Sequence, residues 1–234
     1  MTAPTDHSAA NSKPVNSGRT LISVDAMGGD QGPAAVVAGC ALSAAANRNI
    51  AFILHGNEAQ LIPLVEKRPE LADRCEIRHA TDVVTMDDKP SQVLRTGRDT
   101  SMWSAIESVR TGDAAVAVSC GNTGALMAVS TIRLRRVPGV NRPAIAVLYP
   151  SSNPQGFNVM LDVGADIRAD ADDLMRYALM GMSYARNGMD MDRPRVGLLN
   201  VGTEEHKGRS ELKEAHDLIR DQADVAGYEF VGFV

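Results

Sequence analysis

The sequence predicts an α/β protein with a mostly parallel sheet and helices on both of its faces. Short apolar runs of strand length alternate along the chain with alanine-rich or amphipathic segments of helix length, and this alternation is typical of βαβ units. Several apolar runs are followed by a polar, glycine-containing loop. Because ligands of parallel sheets gather at the carboxyl ends of the strands, we expect several of these loops to share one crevice.

Strands are predicted where a short apolar run is bounded by turn residues. In chain order these runs cover residues 20–24, 50–54, 76–79, 114–118, 144–148, 157–163, 195–201 and 229–234. The run at 114–118 is apolar enough to predict a buried strand. The turn residues 153–156 predict a hairpin or a tight turn between the fifth and sixth strands.

Helices are predicted where apolar residues recur three or four positions apart behind a capping residue. Pro33 lies near the first turn of the first helix, and Pro63 should interrupt or end the second. The expected helices cover 34–46, the segment after Asn57, 91–109, 125–132, the segment after Asp170 or Asp172, and the segment that Ser210 caps.

Composition and charge exclude several classes of protein. The 234 residues are 44% hydrophobic and carry a formal net charge of −5, so a basic surface for nucleic acid is not expected. No apolar run approaches the length of a membrane span. Residues 1–19 lack an apolar signal core and predict a disordered tail before one domain over 20–234. Three cysteines without a C-x-x-C spacing favour a cytoplasmic protein.

The segment around residues 119–124 is the most informative stretch of the chain. A strand leads into a polar turn bracketed by Gly121 and Gly124, and a helix follows. The first amides of a helix have no internal partner and attract anions, and the glycines let the backbone approach a ligand. Asn122 or Thr123 can cap the helix or point a side chain at the bound group. On these residues alone, a capped helix start without a ligand explains the pattern as well.

Two further loops carry candidate ligand-binding groups. Lys89 and Arg95 flank Ser91 at a helix start, where they could neutralise and hold a phosphate; a solvated loop is the alternative. Gly28 and Gly29, between two aspartates, could bring amides to an oxyanion or merely turn the chain. They do not form G-x-G-x-x-G, so a dinucleotide site is disfavoured.

The loop after the seventh predicted strand concentrates polar side chains between glycines. Asn200 and Lys207 are expected at the rim of the crevice. His206 is a candidate general base, and a mobile surface loop is the alternative interpretation of the stretch.

Arg133, Arg135 and Arg136, with Arg142 nearby, form the basic cluster of the sequence. Cations at a helix C-terminus stabilise the helix dipole. The functional interpretation is a docking patch for an acidic partner.

Cysteine and histidine spacing indicates neither a metal site nor a cofactor. Cys120 lies beside the central turn and could form a thioester. No histidine is near it in sequence, and a small buried thiol is favoured instead.

Five motifs, in this order, resemble the bacterial phosphate acyltransferases of phospholipid synthesis: residues 25–30, 88–91, 121–125, 161–165 and 197–208. The resemblance runs from about Leu21 to Val234. It implies an isocitrate- or isopropylmalate-dehydrogenase-like α/β/α sandwich related to the phosphotransacetylases. Cys120 stands where the family usually has alanine, and Asp166 where it more often has asparagine. The family continues past Val234, so this chain is expected to lack a C-terminal portion.

The resemblance also implies an activity and partners. Inorganic phosphate displaces the thiol of acyl-carrier protein from a long-chain acyl thioester, which gives acyl phosphate. The family implies a homodimer that acts with a membrane glycerol-3-phosphate acyltransferase, in the cytoplasm or peripherally at the membrane. Phosphate is already an anionic nucleophile, so the site needs chiefly positioning and donors for the developing oxyanion.

The predicted site therefore combines a phosphate cradle with cations. Lys89, Asn122 and Thr123 are the predicted catalytic residues. The predicted substrate-binding residues are Gly28, Gly29, Ser91, Arg95, Gly121, Gly124, Asn200 and Lys207. Two alternatives remain open: a non-catalytic protein that binds acyl groups or acyl-carrier protein, and a nicotinamide-dependent dehydrogenase on a related fold, which the missing nucleotide fingerprint disfavours.

Overall fold

The computed structural model describes residues 18–163, 169–202 and 208–234. Its contacts cluster into two compact units, of which the first ends at Arg135 and the second begins at Arg136. Each unit has paired strands and an apolar core of its own. The predicted tail lies almost wholly outside the described residues, and one domain over 20–234 stays a prediction.

The first unit alternates strands and helices as the sequence predicts. Its strands form one parallel sheet in the order β3-β2-β1-β4. The elements are β1 (Thr20–Asp25), α1 (Gly32–Ala46), β2 (Ile50–Gly56), α2 (Glu58–Glu66), β3 (Cys75–His79), α3 (Pro90–Thr96), α4 (Ser101–Arg110), β4 (Val116–Ser119) and α5 (Thr123–Arg133).

Helices cover both faces of this sheet, because neighbouring residues of a strand point to opposite faces. Val24 and Leu54 pack with α1 and α2 in an apolar cluster on one face. Ser23 points to the other face, where its hydroxyl donates to the carbonyl of Ala105 in α4 at 2.8 Å. The predicted fold class is confirmed.

The single helix predicted over 91–109 is wrong. Two helices, α3 and α4, are separated by a 3₁₀ turn at Gly97–Asp99. The hydroxyl of Thr100 donates to the carbonyl of Gly97 at 2.6 Å and accepts the amide of Trp103 at 3.3 Å. Thr100 thus caps α4, and this local hydrogen bonding replaces a continuous helix. The break leaves Ser101 at the first position of α4.

Pro63 neither interrupts nor ends α2, which continues through it to Glu66. Pro63 is the sixth of the nine residues of α2 and removes one internal hydrogen bond, which a short helix packed through the buried Leu61 tolerates. The predicted cap is confirmed, since the Asn57 side chain accepts the amide of Gln60 at 3.3 Å.

β4 is less buried than its apolar run predicts. Val116 and Val118 are 45% and 43% exposed. The strand lies at the end of the four-stranded order, and both valines point to the face where α1 and α2 cover the neighbouring strands. Hydrophobicity alone therefore overestimates the burial of this strand.

The second unit contains a hairpin and a parallel pair of strands. The strands β5 (Ala146–Pro150) and β6 (Phe157–Leu161) pair antiparallel, which confirms the predicted hairpin. After α6 (Ala171–Met189), β7 (Arg195–Leu198) pairs parallel with β8 (Glu229–Phe233), and α7 (Ser210–Ala226) lies between them in sequence. The apolar core joins α6, α7 and both parallel strands.

Of the two helix caps predicted in the second unit, the one before α6 is confirmed and the one before α7 is wrong. Asp170 caps α6, and its carboxylate accepts the amide of Asp173 at 2.8 Å. Ser210 does not cap α7; it is the first helical residue, Arg209 holds the cap position, and the Ser210 hydroxyl donates to Glu211.

Candidate active site

The turns after β1 and β4 meet at one edge of the sheet. The two strands are parallel neighbours, and Asp25 and Ser119, their last residues, are in register. Each strand then enters a glycine turn. As expected, the carboxyl ends of neighbouring parallel strands bring these two turns together.

Contacts at the glycines show how close the two turns are. A Cβ added to Gly28 would lie 3.0 Å from the amide nitrogen of Gly121. One added to Gly29 would lie 3.0 Å from the Cβ of Cys120. Gly29 also has a φ of +97°, which L side chains rarely adopt. Side chains at these two positions would push the turns apart.

The start of α3 joins the same place. A Cβ on Gly124 would lie 3.1 Å from Cγ of Pro90, the first residue of α3, and helices α3 and α5 pack together. Lys89, which directly precedes Pro90, therefore lies beside the start of α5. The structure thus brings the three loops of the first unit together.

Asn122 holds two of these loops with one side chain. Its Oδ1 accepts the amide of Ala125 at 3.0 Å and caps α5. Its Nδ2 lies 3.1, 3.2 and 2.9 Å from the carbonyl oxygens of Thr85, Met86 and Asp88. The capping interpretation of Asn122 is thus confirmed. Since protein groups occupy both ends of the buried amide, its geometry is that of a clamp between α5 and the loop before Lys89.

The main-chain amides of the central turn differ in whether they have an acceptor. The Gly121 amide donates to the Ser119 hydroxyl at 3.1 Å. Within the described ranges, the amides of Thr123 and Gly124 have no acceptor. As the first residues of α5 they also carry the positive end of the helix dipole. This arrangement can bind an anion through two main-chain donors.

Three polar side chains of the loop and helix that precede this turn are exposed: Lys89, Ser91 and Arg95. In the part of the chain that the structure describes, neither Lys89 nor Arg95 lies within 4.0 Å of a carboxylate. A lysine in a loop that adjoins two amides without an acceptor increases the attraction for an anion such as phosphate.

A polar layer lies beneath the site, between the sheet and α4. His55 in β2 is fully buried, with Nε2 2.9 Å from the Ser23 hydroxyl and Nδ1 2.8 Å from the Ser104 hydroxyl. Burial, and secondarily the positive charge of Arg78, lower the pKa of His55 to about 4. The imidazole is therefore neutral at pH 7. Sequence reasoning missed this layer, because Ser23 and His55 interrupt apolar runs without a recognisable motif.

Cys120 is exposed, so the expectation of a small buried thiol is wrong. Its position on the turn after β4, rather than within the strand, explains the exposure. Cys40 in α1 is buried, and burial together with nearby Cys120 raises the pKa of the Cys40 thiol to about 11.

One arginine of the cluster, Arg133, contacts side chains of α4 in the first unit. Arg133 Nη2 lies 2.8 Å from Glu107 Oε2, and its guanidinium lies 5.5 Å from the Trp103 ring centre. The hydrogen bond from Arg110, followed by that from Arg133, lowers the pKa of the Glu107 carboxyl. Arg133 thus fastens α5 to α4. A docking role of Arg133, Arg135 and Arg136 stays a prediction, and Arg136 donates to the carbonyl of Asn141.

Asn200 belongs to the second unit, just after β7. Its side-chain oxygen accepts the backbone amide of Val201 at 2.9 Å, and the backbone amide of Asn200 donates to the carbonyl of Val234 at 3.1 Å. Lys207 and His206 lie outside the described residues, as does Asp166. The placement of Asn200 and Lys207 at the rim of the site stays a prediction.

Two kinds of feature are absent from the described residues. No group of three or more His, Cys, Asp or Glu side chains there could hold a metal ion. No helix in the same ranges is long and apolar enough to cross a membrane.

Comparison with known proteins supplies relatives over nearly the whole chain. A family model described as "Fatty acid synthesis protein" matches residues 20–234. A phosphate acyltransferase of Roseobacter denitrificans is 74% identical over 216 residues, which cover 92% of this chain and 60% of the relative. One of a Ruegeria species is 67% identical over 234 residues, all of this chain and 61% of the relative. The chain thus spans about 60% of the length of these curated relatives.

Solved structures are similar in fold at low sequence identity. The EutD phosphotransacetylase of Staphylococcus aureus has a TM-score of 0.61 and 14% identity, with 92% of this chain and 68% of that chain covered. A branched-chain phosphotransacylase of Enterococcus faecalis has a TM-score of 0.61 and 14% identity, with 90% and 66% covered. At this identity the likeness concerns the α/β fold.

Proposed function

We propose, because the chain belongs to the family of fatty acid synthesis proteins, that it transfers a long-chain acyl group from acyl-carrier protein to inorganic phosphate. The names of its close relatives support phosphate as the acceptor. The product is an acyl phosphate.

One observation carries the proposal: among the described residues, two main-chain amides without an acceptor begin α5 next to the loop that carries a lysine without a carboxylate partner. The amides of Thr123 and Gly124 begin α5, and Lys89 immediately precedes the proline that contacts Gly124. Phosphate at neutral pH is a compact dianion or monoanion that accepts several hydrogen bonds. Main-chain amides at a helix start, with one lysine as a point charge, match this chemistry.

The reaction is an acyl substitution. A phosphate oxygen attacks the thioester carbonyl carbon, a C–O bond forms, and the C–S bond breaks. The electron pair leaves with sulfur as a thiolate, which takes a proton from water. Since thiols ionise with a pKa of about 8.5, the thiolate is a fair leaving group.

Each residue of the first-unit site has a distinct role in the proposal. Thr123 and Gly124 bind phosphate through their amides, and Lys89 neutralises it. Asn122 positions rather than touches the anion, because it clamps the Lys89 loop to α5. Arg95 and Ser91 extend the donor set along α3, and the small size of Gly28, Gly29 and Gly121 keeps the turns together.

The test is acyl phosphate formation from acyl-carrier protein, measured against phosphate concentration. Lys89→Ala should raise the KM for phosphate about 10- to 150-fold, since a charge-assisted contact contributes roughly 1.5–3 kcal/mol. Lys67→Ala removes another exposed lysine, at the end of α2, and should leave KM unchanged.

The Roseobacter relative, assayed in parallel, controls for the substrate preparation. If that relative forms acyl phosphate and this chain only binds acyl-carrier protein without turnover, the chain is an acyl-carrier-binding protein and the proposed activity is wrong for it.

The partners follow from the product. Acyl phosphates are reactive and must be consumed by another acyl transfer, for which a membrane glycerol-3-phosphate acyltransferase is the proposed acceptor enzyme. We also propose a homodimer in the cytoplasm, peripherally associated with the membrane. Sedimentation of the chain with and without lipid vesicles tests both statements.

A further inference from the structure

A buried carboxylate lies directly behind the central turn. Asp25, the last residue of β1, is 2% exposed. Its Oδ1 accepts the Ser101 hydroxyl at 2.6 Å, and its Oδ2 accepts the Ser119 hydroxyl at 2.7 Å. Both oxygens are therefore occupied by neutral donors, although burying a charge away from water is costly. A carboxylate held in this way calls for an explanation beyond packing.

The Ser119 hydroxyl connects the Asp25 carboxylate to the glycine turn through two hydrogen bonds. Because its proton points to Asp25, its oxygen presents a lone pair to the Gly121 amide, which donates to it at 3.1 Å. Gly28 closes the arrangement from the other turn. A Cβ there would lie 2.6 Å from Asp25 Oδ2 and 3.0 Å from the Ser119 hydroxyl oxygen.

We infer that Asp25 is a positioning residue for phosphate binding and acts through Ser119 and Gly121. The inference rests on the proposed function. The relay, defined as Asp25, Ser119 and Gly121, fixes the backbone two residues before Thr123. The Thr123 and Gly124 amides consequently point in one direction before phosphate arrives, which spares the ordering cost on binding.

Direct contact between Asp25 and phosphate is not part of this inference. The carboxylate is buried and both of its oxygens are engaged, and its negative charge would repel an anion. The loss of the negative charge and the loss of the relay have opposite expected effects on phosphate binding by the Asp25→Asn variant. Electrostatics alone predicts tighter phosphate binding without the charge. The relay predicts weaker binding, because the single amide oxygen of asparagine replaces two carboxylate oxygens, so Ser119 and Ser101 compete for one acceptor and the Ser119 hydroxyl loses its fixed orientation.

The two serines supply a matched comparison. Both donate to the same carboxylate at nearly the same distance, and neither carries a charge. Ser119 connects Asp25 to the turn, whereas Ser101 connects it to the start of α4. A role of Asp25 in stability alone would make the two serines equivalent, while the relay requires that they differ in phosphate binding.

The experiment measures KM for phosphate, KM for acyl-carrier protein and kcat for the Ser119→Ala, Ser101→Ala, Ser119→Thr and Asp25→Asn variants, with the free energy of unfolding of each. Ser119→Ala should raise the phosphate KM about tenfold, with the carrier-protein KM within about twofold. Ser101→Ala should keep both constants within about twofold, and Ser119→Thr, which retains the hydroxyl, should restore the phosphate KM.

The outcomes separate the inference from the function on which it rests. Equal changes in phosphate KM for both alanine variants, or a lowered KM for Asp25→Asn, overturn the relay while the enzyme activity stands. Should Ser119→Ala fail to fold, the sign of the Asp25→Asn effect decides alone. No turnover by the unaltered chain, beside an active relative, removes the proposed function and the relay together.

Discussion

The two faces of the first-unit sheet are built by the same strands but differ in the kind of contact that their side chains make. On one face Val24 and Leu54 pack with α1 and α2 in an apolar cluster. On the other face their immediate neighbours, Asp25 and His55, make hydrogen bonds to serines of α4. A strand alternates between the two at every residue. At these two consecutive positions of each strand, one side chain packs in the apolar cluster and the next makes directional hydrogen bonds near the site.

The difference teaches where function can be sought in this fold. Apolar contacts are non-directional and tolerate exchange of similar side chains. Buried hydrogen bonds are directional, and an unmade one is costly. The polar face lies next to the glycine turns, so its directional bonds fix their geometry. The apolar face holds the sheet together without specifying where an amide points.

The largest expected effect is on stability and comes from the apolar face. Leu54 is fully buried, so Leu54→Ala should lower the free energy of unfolding by about 2–5 kcal/mol. Leu42→Ala is the control: this leucine is 74% exposed, and its truncation should cost less than about 0.5 kcal/mol. Urea unfolding of both variants checks this. Comparable losses would mean that the apolar face is not the source of stability.

The next effect is a pH dependence from the polar face. The pKa of His55 falls from 6.5 to about 4 on folding. Between these values the unfolded chain binds a proton that the folded chain excludes, so stability decreases as pH falls from 6.5 towards 4. The full loss is on the order of 3 kcal/mol.

His55→Gln should remove this part of the slope, because glutamine does not titrate. The measurement is the free energy of unfolding of both proteins at several pH values between 4 and 7. The variant also loses hydrogen bonds to the serines, so its free energy of unfolding at pH 7 will be lower. The comparison therefore uses the slopes of the free energy of unfolding against pH. Parallel curves would contradict a buried, neutral imidazole.

Parts of this site could be predicted from sequence because they depend on local structure. Gly121 and Gly124 bracket a turn between a strand and a helix, and Asn122 is a good capping residue, so the helix start was predictable. The meeting of this turn with Gly28 follows from parallel strand topology. These features need only the order of elements and the chemistry of single residues.

Other features depend on tertiary contacts that no short pattern encodes. The Nδ2 bonds of Asn122 join carbonyls that lie more than 30 residues away, and the Ser101–Asp25 bond spans 76 residues. Arg133 had the pattern of a helix C-terminal cation, yet its ion pair with Glu107 is a contact between two helices. The break before α4 did have a local signal, since residues 95–101 contain a glycine and no apolar side chain, and the prediction of one helix over 91–109 overlooked it.

Binding of inorganic phosphate by the first amides of α5 is the central claim, and backbone amide NMR during a phosphate titration tests it most directly. We expect the amide resonances of Thr123 and Gly124 to move most and to saturate, while that of Gly121, already bonded to Ser119, moves less. Chloride at matched ionic strength should leave all three in place. Saturable shifts confined to other amides, with Thr123 and Gly124 unmoved, would contradict the account.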